Sequence, residues 1–166
     1  MTCGTTPSFR KIFPSFDWDD KWMVNQILNL PSIIGREDMH FVSGVPAEEV
    51  QKTDAAISKW IRDSMEGCSC YVLFVGEETY ASRWVKYEME LARERRLGRL
   101  MVFLDDMKNR DGRLCKKGWD PYAAHGMYAA PSPKNYIVRQ YSWVHDDGLS
   151  HIGEWIEDAC QRAGKV

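Results

Sequence analysis

Glu88 is the residue whose type and position most favour chemistry in this chain. Ser82 can cap a helix running from Arg83 to Arg96. On such a helix positions 84, 87, 88 and 91 share one face. Trp84, Tyr87 and Leu91 make that face apolar, so Glu88 should turn toward the core with them. A carboxylate among large apolar side chains is costly unless something compensates, its pKa rises with burial, and active sites use such groups. The same spacing also fits a carboxylate at the rim of the stripe, paired with Lys86 or Arg95 and doing nothing more.

The other chemically capable residues carry weaker signals. A tryptophan in a helical stripe, as Trp84 is, belongs to a core first. Phe16 and Trp18 could stack on a flat ring or simply close the upper edge of a sheet. Arg93, Arg95, Arg96 and Arg99 read as a solvated face. His40, His125, His145 and His151 have no ligand spacing. The five cysteines, Cys3, Cys68, Cys70, Cys115 and Cys160, are odd in number and scattered, which argues against a disulfide framework and for reduced thiols in a cytoplasmic protein. Cys68-Ser69-Cys70 has no second pair to complete a zinc site, so no metal is expected.

Elements must place these side chains. Lys11 to Phe16 reads as a first strand, near residues 10–16, although Pro14 removes a ladder donor from it. The turn Asp17-Trp18-Asp19-Asp20 leads into a helix from Lys21 to Asn29, stopped by Pro31. Residues 39–42 suit a short second strand, followed by the loop Ser43-Gly44-Val45-Pro46. Thr53 caps a helix to Glu66 with the stripe Ile57, Trp60, Ile61 and Met65. Cys70 to Val75 is a continuous apolar run, as a central parallel strand covered on both faces would be. Gly98 stops the next helix before a strand at 99–104. A long polar insert spans about 105–135, a strand is expected at 136–140, and Leu149, Ile152, Ile156, Ala159 and Cys160 stripe a closing helix.

Alternating strands and helices imply a flavodoxin-like α/β sandwich of three layers, with a five-stranded parallel sheet in the order 2-1-3-4-5. Residues 1–9 are expected to be a flexible leader and 10–166 a single domain. Ligands in such sheets sit beyond the carboxyl ends of the strands at the switch point, here the segments 16–20 and 76–88. An acidic loop after strand one would repel a flavin phosphate. A receiver would need an aspartate at the end of strand three, where Val75-Gly76-Glu77 stands, and no G-x-G-x-x-G follows strand one. A net charge of -2 gives no sign of nucleic-acid binding, no apolar run is long enough for a membrane span, and the polar start does not resemble a signal peptide.

Several stretches together resemble the TIR domain superfamily, above all the bacterial and archaeal TIR-like proteins that include the TIR component of Thoeris anti-phage defence. They are Ile12-Phe13-Pro14-Ser15-Phe16 with the acids behind it, Gly76 through Trp84, Trp84-Val85-Lys86-Tyr87-Glu88, and Tyr141-Ser142-Trp143-Val144 with Asp146-Asp147-Gly148. The resemblance implies that Glu88 is the catalytic residue of NAD⁺ cleavage and that Ser15, Phe16, Asp17 and Trp84 bind the substrate. It implies NAD⁺ as substrate rather than a resident cofactor, water or another part of the same molecule as acceptor, and a cyclic ADP-ribose signal passed to a separate effector protein. It also implies a homo-oligomer in which a neighbouring subunit completes the pocket. A non-catalytic TIR-like adaptor and a nucleoside deoxyribosyltransferase-like enzyme remain alternatives.

Overall fold

A computed structural model describes residues 9–42, 52–128 and 137–165. Five parallel strands form one sheet in the order β2-β1-β3-β4-β5: β1 (Arg10–Ser15), β2 (Met39–Phe41), β3 (Cys70–Val75), β4 (Gly98–Phe103) and β5 (Arg139–Ser142). The expected flavodoxin-like α/β layout is the one observed. The readings of a leader over 1–8 and of the 43–46 loop lie outside the described residues.

The alternation of side chains along each strand divides the core into two layers. Ile12, Val72, Phe74, Leu100 and Val102 face helix α1 (Lys21–Leu28) and helix α6 (Gly148–Arg162). Phe13, Tyr71, Leu73, Val75, Met101 and Phe103 face α3 (Asp54–Met65) and α4 (Arg83–Glu94). Both β3 and β4 are buried along their whole length, which is why Cys70–Val75 and, after Arg99, Leu100 to Phe103 are continuous apolar runs rather than alternating ones.

Capping sets the helix starts as expected. Thr53 Oγ1 accepts from the Ala56 amide at 3.2 Å and Ser82 Oγ from the Val85 amide at 3.4 Å. Pro31 does stop α1, but it also opens a one-turn helix, α2 (Pro31–Ile34), from its first position, where the missing N–H is no loss. Pro14 is accommodated without breaking β1. Ile12 and Arg10 bond toward β2, so the Pro14 nitrogen points to that side, and β2 has ended by then.

Three expectations are corrected. The last strand is Arg139–Ser142, not 136–140; Ile137 and Val138 precede it, with Ile137 65 % exposed. Gly98 does not stop α4: the helix ends at Glu94, Arg96 turns with φ 57°, and Gly98 is already the first residue of β4. Arg99 is not part of a solvated face but is buried at the start of that strand.

Gly98 is there because α6 crosses β4 closely. A Cβ on it would stand 2.8–2.9 Å from Cys160 N and from the carbonyl carbon and oxygen of Ala159. All three are backbone atoms in the last turn of a packed helix and cannot swing aside. Gly98→Ala should therefore destabilise the fold by about 1–3 kcal/mol, the usual range for overpacking. Urea unfolding of the variant checks this, and an unchanged midpoint would show that α6 rides more loosely than described.

Four cysteines, Cys68, Cys70, Cys115 and Cys160, are buried free thiols.

Candidate functional site

The carboxyl edge of the sheet is built by two loops. The one after β1 runs through Phe16 and Asp17 into a short 3-10 turn, Trp18–Asp20. The one after β3 runs through Gly76 to a second, Thr79–Ala81, and then to Ser82 at the start of α4. Buried hydrogen bonds tie them together. Thr79 Oγ1 donates to Asp20 Oδ2 at 3.0 Å and accepts from the Gly76 amide at 2.8 Å. Asp17 accepts from the Asp19 amide and from Ser82, although burial outweighs these bonds and leaves its pKa raised. Burial pushes the Asp20 carboxyl up to about 7; the Thr79 hydroxyl pulls it down, and the Asp17 and Asp19 charges push it further up.

Below this edge, Ser15 Oγ donates a short hydrogen bond to Glu88 Oε2. Ser15 is 1 % exposed and Glu88 8 %. The strand and the helix explain the meeting. Ser15 ends β1 and, two residues beyond Phe13, points to the same face, which is the face α4 covers. The inward face of α4 differs from the expected one by one position. Val85, Glu88, Met89, Leu91 and Ala92 are buried, whereas Trp84 and Tyr87 are half-buried at its flank. Glu88 is thus a central member of the buried face.

Two tyrosines share this polar pocket in an apolar layer, and sequence reasoning missed both. Tyr71 of β3 is wholly buried and stacks on Phe13 with ring centroids 6.1 Å apart. Burial first, then the nearby Glu88 and Tyr122, hold its phenol well above its usual range, against the neighbouring Ser15 hydroxyl, which lowers it. Tyr122, 1 % exposed, comes from a one-turn helix in the insert, α5 (Pro121–Ala124). A tyrosine in an aliphatic central strand was the available signal, since a buried phenol needs a polar neighbour.

The remaining expected site residues spread around this pair. Trp84 lies one helical turn before Glu88, about 6 Å nearer the sheet edge along the axis. Its ring meets Tyr87 edge-on at 5.9 Å and carries the Arg83 guanidinium 4.8 Å from its centroid. Asp17 sits half-buried beside Ser82 at the mouth. Phe16 is 9 % exposed and packs into the layer of α1 and α6, across the sheet from the Ser15–Glu88 pair. Among the described residues one group has metal-ligand spacing, Asp105, Asp106 and His145, and its close contact is an exposed hydrogen bond of 2.6 Å between His145 Nε2 and Asp106 Oδ2.

This arrangement offers one buried carboxylate, held by a serine hydroxyl with two buried tyrosines close by, below an acidic edge. Such a group can accept from sugar hydroxyls and stabilise a neighbouring positive charge. No helix among the described residues is long and apolar enough to cross a membrane.

A family model described as "Thoeris protein ThsB, TIR-like domain" matches residues 13–109, more than half of the chain. A curated protein of Bacillus cereus (strain MSX-D12), "Putative cyclic ADP-D-ribose synthase ThsB1", is 27 % identical over 109 residues, which are 65 % of this chain and 50 % of that protein. The chain therefore spans about half the length of the curated relative it matches. The matched family segment contains both members of the Ser15–Glu88 pair and ends within the first residues of the insert, before Tyr122.

Proposed function

The chain belongs to the TIR-like domain family of the Thoeris protein ThsB, and from that premise we propose that it cleaves the nicotinamide–ribose bond of NAD⁺ and releases a cyclic ADP-ribose-type signal. The observation that carries the reading is the buried Ser15–Glu88 pair. The name of the Bacillus cereus relative supports the product class.

Breaking this bond leaves a ribosyl oxocarbenium-like centre, as in glycoside hydrolysis. Nicotinamide departs neutral, so no general acid is required. What the protein must supply is negative charge held near the ribose. Glu88 is the group for that, with Ser15 fixing which oxygen points where. A ribose hydroxyl can take over the hydrogen bond that the Ser15 hydroxyl gives to Glu88, so substrate replaces an interaction already in place. Trp84, one turn above, and Asp17, at the mouth, are assigned to the substrate's flanks. Phe16, seated in the opposite layer, contributes by fixing the end of β1. The signal then acts on a separate effector protein, and neighbouring copies of the chain complete the pocket.

The test is mass spectrometry of NAD⁺ incubated with purified protein across a range of protein concentrations, with and without phage-infected lysate. Nicotinamide should appear in step with a cyclic product, and specific activity should rise with concentration or lysate. If NAD⁺ stays intact under every condition, the chain is a TIR-like adaptor; if nucleosides are cleaved instead, it is a nucleoside glycosyl-transferring enzyme.

A further inference from the structure

The insert after β4 is strapped across the site's edge. Cys115 is buried, with its amide donating to the Met107 carbonyl and its carbonyl accepting from the Asp106 amide, each at 2.8 Å. Gly118 then presses onto the loop after β3: a Cβ there would fall 1.9 Å from the Gly76 carbonyl oxygen. Gly76 has no room on its other side, since its own Cβ would meet the Asp20 carboxylate at 2.0 Å. Two glycines back to back thus let the strap lie flat on the switch-point loop. Asp120 locks the far end, its Oδ1 accepting from the Tyr122 amide at 2.8 Å and its Oδ2 from the Tyr128 hydroxyl at 2.6 Å.

Between these anchors Trp119 stands 70 % exposed, the most exposed of the large apolar side chains among the described residues. Its ring lies 5.1 Å from that of Tyr80, tilted by 31°. Tyr80 belongs to the 3-10 turn just ahead of α4, and Glu88 lies in the second turn of that helix. The aromatic pair therefore stands at the carboxyl edge of the sheet, just ahead of the helix that carries Glu88. Lys116 and Lys117, both exposed, come just before Gly118 on the strap, while the loop below presents Glu77 and Glu78.

Resting on the reading of Glu88 above, we propose that Trp119 and Tyr80 form the shelf for the purine base of the dinucleotide, with Lys116 and Lys117 beside its diphosphate. The nicotinamide end must lie at Glu88, where its bond breaks, so the shelf, set back toward the mouth, takes the other base. The strap holds the indole in place before substrate arrives, which spares the ordering cost of a free loop. The lysines offset the repulsion between phosphates and the acidic rim. Trp119, Lys116 and Lys117 lie beyond the segment that matches the family model, and Tyr80 lies within it.

Calorimetric titration of AMP into wild type, Trp119→Ala and Trp119→Phe tests the shelf without needing turnover. Losing one stacked base should weaken AMP about tenfold in Trp119→Ala, with Trp119→Phe restoring most of it. In the NAD⁺ assay KM should rise by the same factor with kcat within about twofold, because the contact is equal in ground and transition states. Cleavage of nicotinamide mononucleotide, which lacks the purine, should be unchanged. Wild-type affinity for AMP in Trp119→Ala, or no AMP binding by wild type, overturns the shelf. AMP binding that depends on Trp119 in a protein that leaves NAD⁺ intact upholds the shelf and overturns the reading of Glu88.

Discussion

Glu88→Gln should lower kcat for NAD⁺ cleavage by about 10²–10³ while KM changes little, the loss typical of one well-placed electrostatic group. The amide has the carboxylate's shape and can still accept from the Ser15 hydroxyl, so the hydrogen bond between β1 and α4 survives. Only the negative charge is lost, and that charge matters most when the ribose is most positive, so the effect belongs to the transition state. The fold should hold, since a neutral isostere in a site this buried has no greater desolvation cost than the charge it replaces. Glu90→Gln is the control, because Glu90 is exposed on the same helix. Product formation and thermal melts on all three proteins decide the matter. A Glu88→Gln protein that melts normally and turns over like wild type removes Glu88 from the chemistry.

Asp20→Asn should stabilise the protein at pH 8 by up to about 4 kcal/mol and do little near pH 4. In the unfolded chain this carboxyl ionises near 3.8, and in the fold burial delays ionisation to about 7. Between those values the folded state holds the proton more tightly than the unfolded one, so stability falls as pH rises through the window. Above it the penalty is complete. Asparagine has no charge to desolvate and still offers Thr79 an acceptor, so it escapes the penalty. The groups that face Asp20 are Asp17 and Asp19 on its own loop, Thr79 and Gly76 on the loop after β3, and Cys115 on the strap. Unfolding free energies of both proteins from pH 4 to 9 should diverge steadily up to about 7. Parallel curves would mean that Asp20 reaches solvent and ionises normally.

The sheet was legible in the sequence because β3 and β4 are buried on both faces, and a strand covered on both faces needs a continuous apolar run such as Cys70 to Val75. The edge strand was not. β5 pairs on one side only, and its Arg139 and Gln140 are exposed, so nothing in its composition outweighed the more strand-like Ile137 and Val138 just before it. Glu88 was found through helical spacing, but Trp84 and Tyr87 drew the stripe one position off, because size suggested burial where the flank against α3 gave only half of it. Ser15 came from a family likeness alone; its meeting with Glu88 depends on which face of β1 it takes, a choice fixed by pairing with β3. Tyr122 could not be read at all. It reaches the pocket through a strap positioned by contacts between Gly118 and Gly76, 42 residues apart in the chain, and such contacts leave no periodicity behind.

The buried cysteines give the molecule an internal record of its own opening. Burial keeps Cys68 protonated up to about 11 and Cys115 up to about 12, so neither is a thiolate at neutral pH while the fold is closed. Cys70 of β3 and Cys160 of α6 lie where that helix packs on the strand, Cys68 just ahead of β3 and Cys115 on the strap. Alkylation at each thiol is then gated by the opening of its own neighbourhood. Cys115 reports release of the strap and the central pair reports separation of α6 from the sheet, so one reagent distinguishes a loosened rim from a parted core without any label being introduced.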